Sequence, residues 1–298
     1  MCIAEIDNGY WQTKSMRYKF RSKIEETKES LNNFNTYRVK FEGKDYLVGD
    51  GAEDYNIELD KTNNPLHKIT TYTMLALLAE KETETFDIVV SYPLNLYNEE
   101  NTVSFSEFLK SRNHVPIKIN GTQKYIQIRN CVVFPQTLPV AYLNHAYYKD
   151  RIVAIIDVGG NTAQGCIVEK LNLVESSKFS ESLGCIILYN IIRKELNGEF
   201  SINIRDYEMP YIIKNGLKNN KDKSLKIINE VLHSHCLKIK KELRKNNWNI
   251  ENLDFIFTGG GSLLLENHLV KMLGGKLSSD PIMDNVKGLK IVSEMVYR

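Results

Sequence analysis

Long apolar runs are missing from this chain: no window offers 18 uninterrupted apolar residues, so a membrane-spanning helix is not expected. The N-terminus also lacks a basic segment leading into an apolar stretch and a small-residue cleavage site, the mark of an exported chain. Cysteine is scarce and unpaired in pattern. Cys2, Cys131, Cys166, Cys185 and Cys236 make an odd number with no C-x-x-C pair, which fits reduced thiols in a cytoplasm. Charge of one sign is absent too: 39 basic against 37 acidic residues leave a net +2, too little to argue for nucleic-acid or membrane binding by charge alone. Two familiar phosphate signatures are missing. No G-x-x-x-x-G-K-[ST] occurs, since Gly274-Gly275-Lys276 runs into Leu277, and no G-x-G-x-x-G follows a strand.

What remains is an ordinary globular composition, 42% hydrophobic and 26% charged over 298 residues, with room for two domains. Strand-type segments recur near 3–7, 37–41, 45–48, 86–91, 125–133, 152–157, 164–169 and 254–258, with helical periodicity between them. Met74, Leu75, Leu77 and Leu78 predict a buried helix before Phe86, and Leu138, Val140, Ala141 and Leu143 predict another before Ile152. Leu225, Ile228, Val231, Leu232, Ile239 and Leu243 mark an amphipathic helix near 222–246 whose lysines make a solvated face. The pattern is α/β with repeated halves.

The repeat is clearest at two strand ends. Ile3 to Ile6 run into Asp7-Asn8-Gly9, and Ile152 to Ile156 run into Asp157-Val158-Gly159-Gly160-Asn161-Thr162. Gly9 permits a turn whose following N–H groups can point at phosphate oxygens, with Lys14 adding positive charge. Asp7 and Asp157 suit water-mediated ligation of Mg²⁺, which keeps much of its hydration shell. Gly159 and Gly160 open the backbone, and the Thr162 hydroxyl can donate to a γ-phosphate. A third strand, Phe255 to Thr258, runs into Gly259-Gly260-Gly261-Ser262, where a backbone can lie against a nucleoside. One D-x-G at a strand end is usually a plain turn; three such turns in order across an α/β repeat point to a nucleotide-binding protein.

These residues resemble the actin-like ATPases, within the superfamily that also holds sugar kinases and chaperone ATPases. Asp7 to Lys14 is similar to the family's first phosphate loop, Asp157 to Thr162 to its second, and Thr258 to Ser262 to its adenosine motif. Val133 to Tyr142, containing Pro135-Gln136-Thr137, resembles the first interdomain connection, and Asp284 to Leu289 the second. With Leu47 to Ala52, the wording is most similar to the ParM/StbA-type bacterial actins that segregate plasmids. The first phosphate loop departs from the family: Asn8, Tyr10 and Trp11 make it bulkier than the usual hydroxyl-rich version.

The resemblance implies an α/β actin-like fold of two domains, each with a smaller insertion, and a nucleotide cleft between them. Domain I is expected over 1–148, with an insertion near 20–65 and the C-terminal 288–298 packing back onto it. Domain II is expected over 149–287, with an insertion near 188–252. Implied ligands are ATP, with GTP the alternative purine, and Mg²⁺. Gln136 is implied to orient the water that attacks the γ-phosphate; a capping role for the helix near Leu138 is the competing reading. The implied activity is nucleotide-driven assembly into a head-to-tail filament that moves plasmid DNA, reached through a small ParR-type DNA-binding adaptor, in the bacterial cytoplasm and without a membrane. A small-molecule kinase, or a phage or chromosomal actin with another cargo, is the alternative. The kinase reading lacks a carboxylate near Gln136 to act as general base.

Other residues take plainer readings. His233, His235 and Cys236 are crowded on one helix, but residues two apart face different ways, and no remote ligand set has zinc spacing. Trp11 and Trp248 are expected to pack. Gly184 is read equally as the turn feeding a helix toward nucleotide or as a plain helix cap.

Overall fold

The structure, a computed structural model, describes residues 2–27, 35–53 and 61–297. Residues 28–34 and 54–60 of the expected first insertion lie outside the described residues, as do Met1 and Arg298. The chain divides into two compact units, Met1–Arg151 with Ile282–Arg298, and Ile152–Pro281.

In the first unit the strands are β1 (Cys2–Asn8), β2 (Gln12–Lys14), β3 (Lys19–Arg21), β4 (Ile24–Glu26), β5 (Thr36–Phe41) and β6 (Lys44–Gly49). Then come α1 (Pro65–Leu78), β7 (Thr83–Tyr92), α2 (Glu99–Leu109), β8 (Val115–Ile119), β9 (Thr122–Pro135), α3 (Pro139–Tyr142) and α4 (His145–Tyr148). They build one sheet in the order β3-β2-β1-β7-β9-β8-β5-β6-β4. Its centre is parallel, β1 on β7 and β7 on β9. Strands covered on both faces favour apolar runs, as in Ile88-Val89-Val90 of β7, which with Ile6 of β1 are fully buried. β5 pairs with β8, so the strand-rich stretch after Phe20 extends the same sheet. Helix α1 opens on Asn64, whose side chain accepts from the Leu66 N–H, with Pro65 in the first helical position.

The second unit holds β10 (Ile152–Val158), β11 (Ala163–Glu169), β12 (Asn172–Leu173), β13 (Phe179–Glu181) and α5 (Cys185–Phe200). It continues with α6 (Met209–Asn215), α7 (Lys221–Lys245), β14 (Asp254–Thr258), α8 (Gly260–Leu273) and β15 (Lys276–Leu277). β10 pairs antiparallel with β11 and parallel with β14, as β1 does with β2 and β7. The repeat suspected from two Asp-Gly strand ends is therefore a repeat of sheet connectivity. Leu188, Ile192, Leu196, Ile228, Leu232 and Leu243 from α5 and α7 meet Phe255 and Phe257 in the core. The final helix, α9 (Asp284–Tyr297), belongs to the first unit: Leu289 and Val292 pack on Val89, and the Tyr297 hydroxyl donates to the Ile88 carbonyl.

The helix predicted before Ile152 is split into α3 and α4, because Asn144 leaves helical geometry at φ −136°. Among the described residues no helix is long and apolar enough to cross a membrane.

Candidate functional site

The two Asp-Gly turns close in the same way. Gly9 N–H donates to the Gln12 carbonyl at 3.1 Å, and Gly159 N–H to the Thr162 carbonyl at 2.8 Å. The strands leaving them pair in the same register, Asp7 opposite Lys14 and Asp157 opposite Gln164. Position for position, Asn8 corresponds to Val158, Tyr10 to Gly160 and Trp11 to Asn161.

Around the first turn the side chains are used up inside the first unit. Asp7 is buried; its Oδ1 accepts from the Ser91 hydroxyl at 2.8 Å and its Oδ2 pairs with Lys14 Nζ at 3.0 Å. Burial alone would raise its pKa, but the Lys14 charge and hydrogen bond, with help from Ser91 and Lys61, outweigh that and hold the carboxyl below its ordinary range. Lys14 also donates to the Ile282 carbonyl. The lysine expected to offer charge to phosphate thus neutralises Asp7 in this structure.

Asn8 requires a correction. It was expected to contact nucleotide, yet its Nδ2 donates to the His67 carbonyl and to Thr71 Oγ1, and its Oδ1 lies 3.0 Å from His67 Nδ1. Its N–H donates to Ser91 Oγ and its carbonyl accepts from Lys61 Nζ. A fully buried amide with every polar group engaged ties β1 to α1 and leaves nothing for a phosphate.

Lys61 and Ser91 were not foreseen. Lys61 is wholly buried and also donates to the Ser91 carbonyl at 3.2 Å; burial drives its pKa down to about 7, against the pull of Asp7. Ser91 could have been found as the polar residue closing an apolar strand whose register puts it beside Asp7. Lys61 had no such signal. Gln136 lies at the end of β9, buried, its N–H on the Tyr92 carbonyl and its Nε2 3.5 Å from Ser91 Oγ.

The second turn is built from backbone. The carbonyls of Gly159, Gly160 and Asn161 accept from the N–H groups of Cys185, Ile186 and Gly184, at 3.0, 2.9 and 3.1 Å. They satisfy donors that the first turn of a helix otherwise leaves open. Gly184 has a reason for being glycine: a Cβ there would lie 2.4 Å from the Gly160 carbonyl oxygen. With the turn's carbonyls committed to α5, its remaining polar backbone groups are amide donors suited to an anion. Thr162 follows, half-buried.

The third turn seats on the second. Gly259 has φ +82°, donates to the Pro281 carbonyl, and a Cβ on it would fall 2.2 Å from Asp157 Oδ1. A Cβ on Gly261 would strike Val158 and Cys185, whereas one on Gly260 would meet nothing within 4 Å. Thr258 Oγ1 donates to the Pro281 carbonyl. The second unit therefore gathers Asp157, Gly159 to Thr162 and Thr258 to Gly261 around the N-terminus of α5, while the first gathers Asp7, Gly9, Lys14 and Gln136 around Ser91. A surface groove of about 660 Å³ between α5 and α7, lined by Ile191, Val231 and His235 among others, contains none of these residues; the turns, not that concavity, carry the assignment.

Among the described residues no group of three or more His, Cys, Asp or Glu side chains is placed to hold a metal ion. Mg²⁺ does not need such a cage, because it retains waters and takes phosphate oxygens. Asp7, with an oxygen on each of two protein partners, fits water-mediated holding rather than direct ligation. His235 is structural, its Nε2 donating to the Leu183 carbonyl and burial lowering its pKa, and Cys236 is fully buried, while His233 is exposed. Trp248 donates to the Ser177 carbonyl and packs on Phe179 and Phe255.

Comparison with known proteins bears on the family and the fold. Residues 6–138 match the family described as actin like proteins N terminal domain, and residues 155–271 match the archaeal actin homologue MreB-like C-terminal family. The chain belongs to the actin-like ATPase superfamily. Among solved structures, the actin-like chain is similar to Ta0583, an archaeal actin homologue, at TM-score 0.84 and 15% identity over 99% of both chains. Ta0583 in complex with ADP superposes at TM-score 0.82 with 16% identity, covering 99% of this chain and 100% of that one. A 15-stranded ParM filament from Clostridium botulinum gives 0.72 and 20%, over 99% and 100% of the two chains. At these identities the likeness concerns the fold. No curated protein matches the sequence.

Proposed function

We propose that this actin-like protein binds and hydrolyses ATP and assembles head to tail into filaments. The observation that carries the reading is the pair of Asp-Gly turns closed by the same hydrogen bond in the same register, with a glycine turn seated on the second. The family membership and the filament structures among its fold neighbours support it. A head-to-tail contact is heterologous and does not close, which yields filaments rather than rings.

In this reading the polyphosphate is received by amides of the Gly159 to Thr162 turn and the nucleoside by the Thr258 to Gly261 backbone. Mg²⁺, when bound with nucleotide, supplies neutralising charge, and Asp7 and Asp157 would hold it through its waters. Phosphoryl transfer to water needs positioning and charge neutralisation more than covalent help, so the neutral amide of Gln136 serves by aligning the nucleophile. A neutral amide that only aligns water implies slow hydrolysis, which suits a filament whose lattice weakens after assembly. The proposed cargo, following the resemblance of the two connection motifs to plasmid-segregating bacterial actins, is plasmid DNA, reached through a small DNA-binding adaptor in the cytoplasm.

The test is light scattering and pelleting across a protein concentration series with Mg²⁺ and ATP, GTP, ADP or no nucleotide. A critical concentration seen only with triphosphate is expected, and the two purines are ranked by it. Nucleotide turnover without assembly, stimulated by a small hydroxylated metabolite, would instead make the protein a kinase. Gln136→Ala should bind Mg-ATP and polymerise while releasing phosphate at least ~10-fold more slowly.

A further inference from the structure

The chain passes from β9 to α3 through two residues in unfavourable backbone conformations. Thr137 has φ +76°. For a β-branched residue this is a true outlier, because the branched Cβ crowds the neighbouring peptide. Among the described residues eight other non-glycine residues share a positive φ, but they sit at exposed or half-exposed positions and none is β-branched. Thr137 is fully buried, and its Oγ1 has no hydrogen-bond partner among the described residues. Next to it, Leu138 is helical at φ −59°, ψ −36° although a proline follows, a region the proline ring disfavours.

Such strain persists only where the surroundings over-determine it, and here α9 does so. The Thr137 N–H donates to Asn285 Oδ1 at 3.2 Å, and Gly288 lies so close to Pro139 that a Cβ would sit 2.1 Å from its carbonyl oxygen. On the other side, the Gln136 N–H is pinned to the Tyr92 carbonyl at 2.8 Å. Gln136 is thus held between a strand bond before it and a clamped, strained peptide after it. Glycine at 137 would accept the same backbone with neither the Cβ crowding nor the orphaned hydroxyl.

We infer that Thr137 is a positioning residue whose left-handed backbone, clamped by Asn285, fixes the direction of the Gln136 side chain. The inference rests on the reading of Gln136 as the residue that aligns the attacking water. A branched residue held at this φ has one narrow backbone well, whereas glycine has several, so the cost in local strain is returned as a fixed aim. Misaligning a positioning group slows the chemical step while leaving ground-state binding intact.

The experiment measures phosphate release per subunit at saturating Mg-ATP, the half-saturating ATP concentration and the melting temperature. The proteins are the parent, Thr137→Gly, Asn285→Ala, Gln136→Ala and the Thr137→Gly/Gln136→Ala double variant. Thr137→Gly should melt within ~2 °C of the parent, a shift that marks an intact fold at this size, keep its half-saturating ATP within twofold, and turn over at least fivefold more slowly. Asn285→Ala should slow turnover in the same direction. In the Gln136→Ala background, Thr137→Gly should cost nothing more, because its effect is routed through the missing amide. Parent-like turnover in Thr137→Gly, or an equal further loss in the Gln136→Ala background, overturns the positioning role while leaving the hydrolysis reading intact. Parent-like turnover in Gln136→Ala defeats that reading itself, and the positioning role with it.

Discussion

The two Asp-Gly turns share a backbone and differ in almost everything hung on it. At the first, buried side chains meet one another: Asp7 with Lys14 and Ser91, Asn8 with His67 and Thr71, Lys61 with two carbonyl groups. At the second, glycines and carbonyls do the work, three of the latter spent on α5. A duplicated supersecondary design can therefore be preserved as connectivity while one copy becomes a neutralised, cross-linked support and the other stays a backbone surface. The first turn is expected to matter to stability and the second to ligand affinity.

The largest effect that would break this contrast concerns the seat of the third turn. Gly259→Ala places a Cβ against Asp157 at a positive φ, so a loss of about 3 kcal/mol or more in urea unfolding is expected, along with nucleotide-dependent pelleting. A variant as stable as the parent would mean the Gly259–Asp157 contact yields easily. Next in size is the pair Gly9→Ala and Gly159→Ala. A Cβ at Gly9 would lie 2.9 Å from the Gln12 carbonyl oxygen, while at Gly159 its nearest neighbour is the Thr162 oxygen at 3.5 Å. Gly9→Ala should lose about 1–2 kcal/mol of stability, whereas Gly159→Ala should stay within about 0.5 kcal/mol and lose ATP affinity roughly tenfold. Calorimetric titration beside denaturant melts reads both; equal stability losses would erase the distinction between the turns.

A pH slope probes the first turn through its buried lysine. Lys61 has a folded-state pKa of about 7 against an ordinary 10.5, so between those values the unfolded chain binds more protons than the folded one. Stability from this residue is present above pH 10.5 and is lost as pH falls toward 7. Melts of the parent from pH 7 to 9 should show stability rising with pH, and Lys61→Met should flatten that component. An unchanged slope in the variant would place the ammonium in a wetter setting than its full burial indicates.

Much of the fold is legible locally. β10 opens on the apolar run Ile152 to Ile156, β7 carries Ile88 to Val90 and β14 Phe255 to Phe257, and α7 shows its buried stripe at helical spacing. Short strands escape: Gln12–Lys14 and Lys276–Leu277 have too few residues to show alternation and exist because a longer neighbour offers them an edge. The candidate site divides along the same line. Asp7, Gly9, Asp157 and Gly159 are visible because strand, acid and glycine are adjacent in the chain. Lys61 and the Thr137–Asn285 clamp are not, since their partners lie 53 and 148 residues away.

Sequence by itself determined where the chain must turn and which turns have the chemistry to meet phosphate, because those properties reside in a few consecutive residues: an apolar strand, its terminal Asp and a glycine without a Cβ. Only the tertiary structure decided how each group is spent. It turned Asn8 inward and tied Lys14 to Asp7, because a buried polar atom must find a partner wherever the fold supplies one. It also let α9 hold Thr137 in a conformation its own side chain disfavours, because local strain is sustained by packing from distant residues.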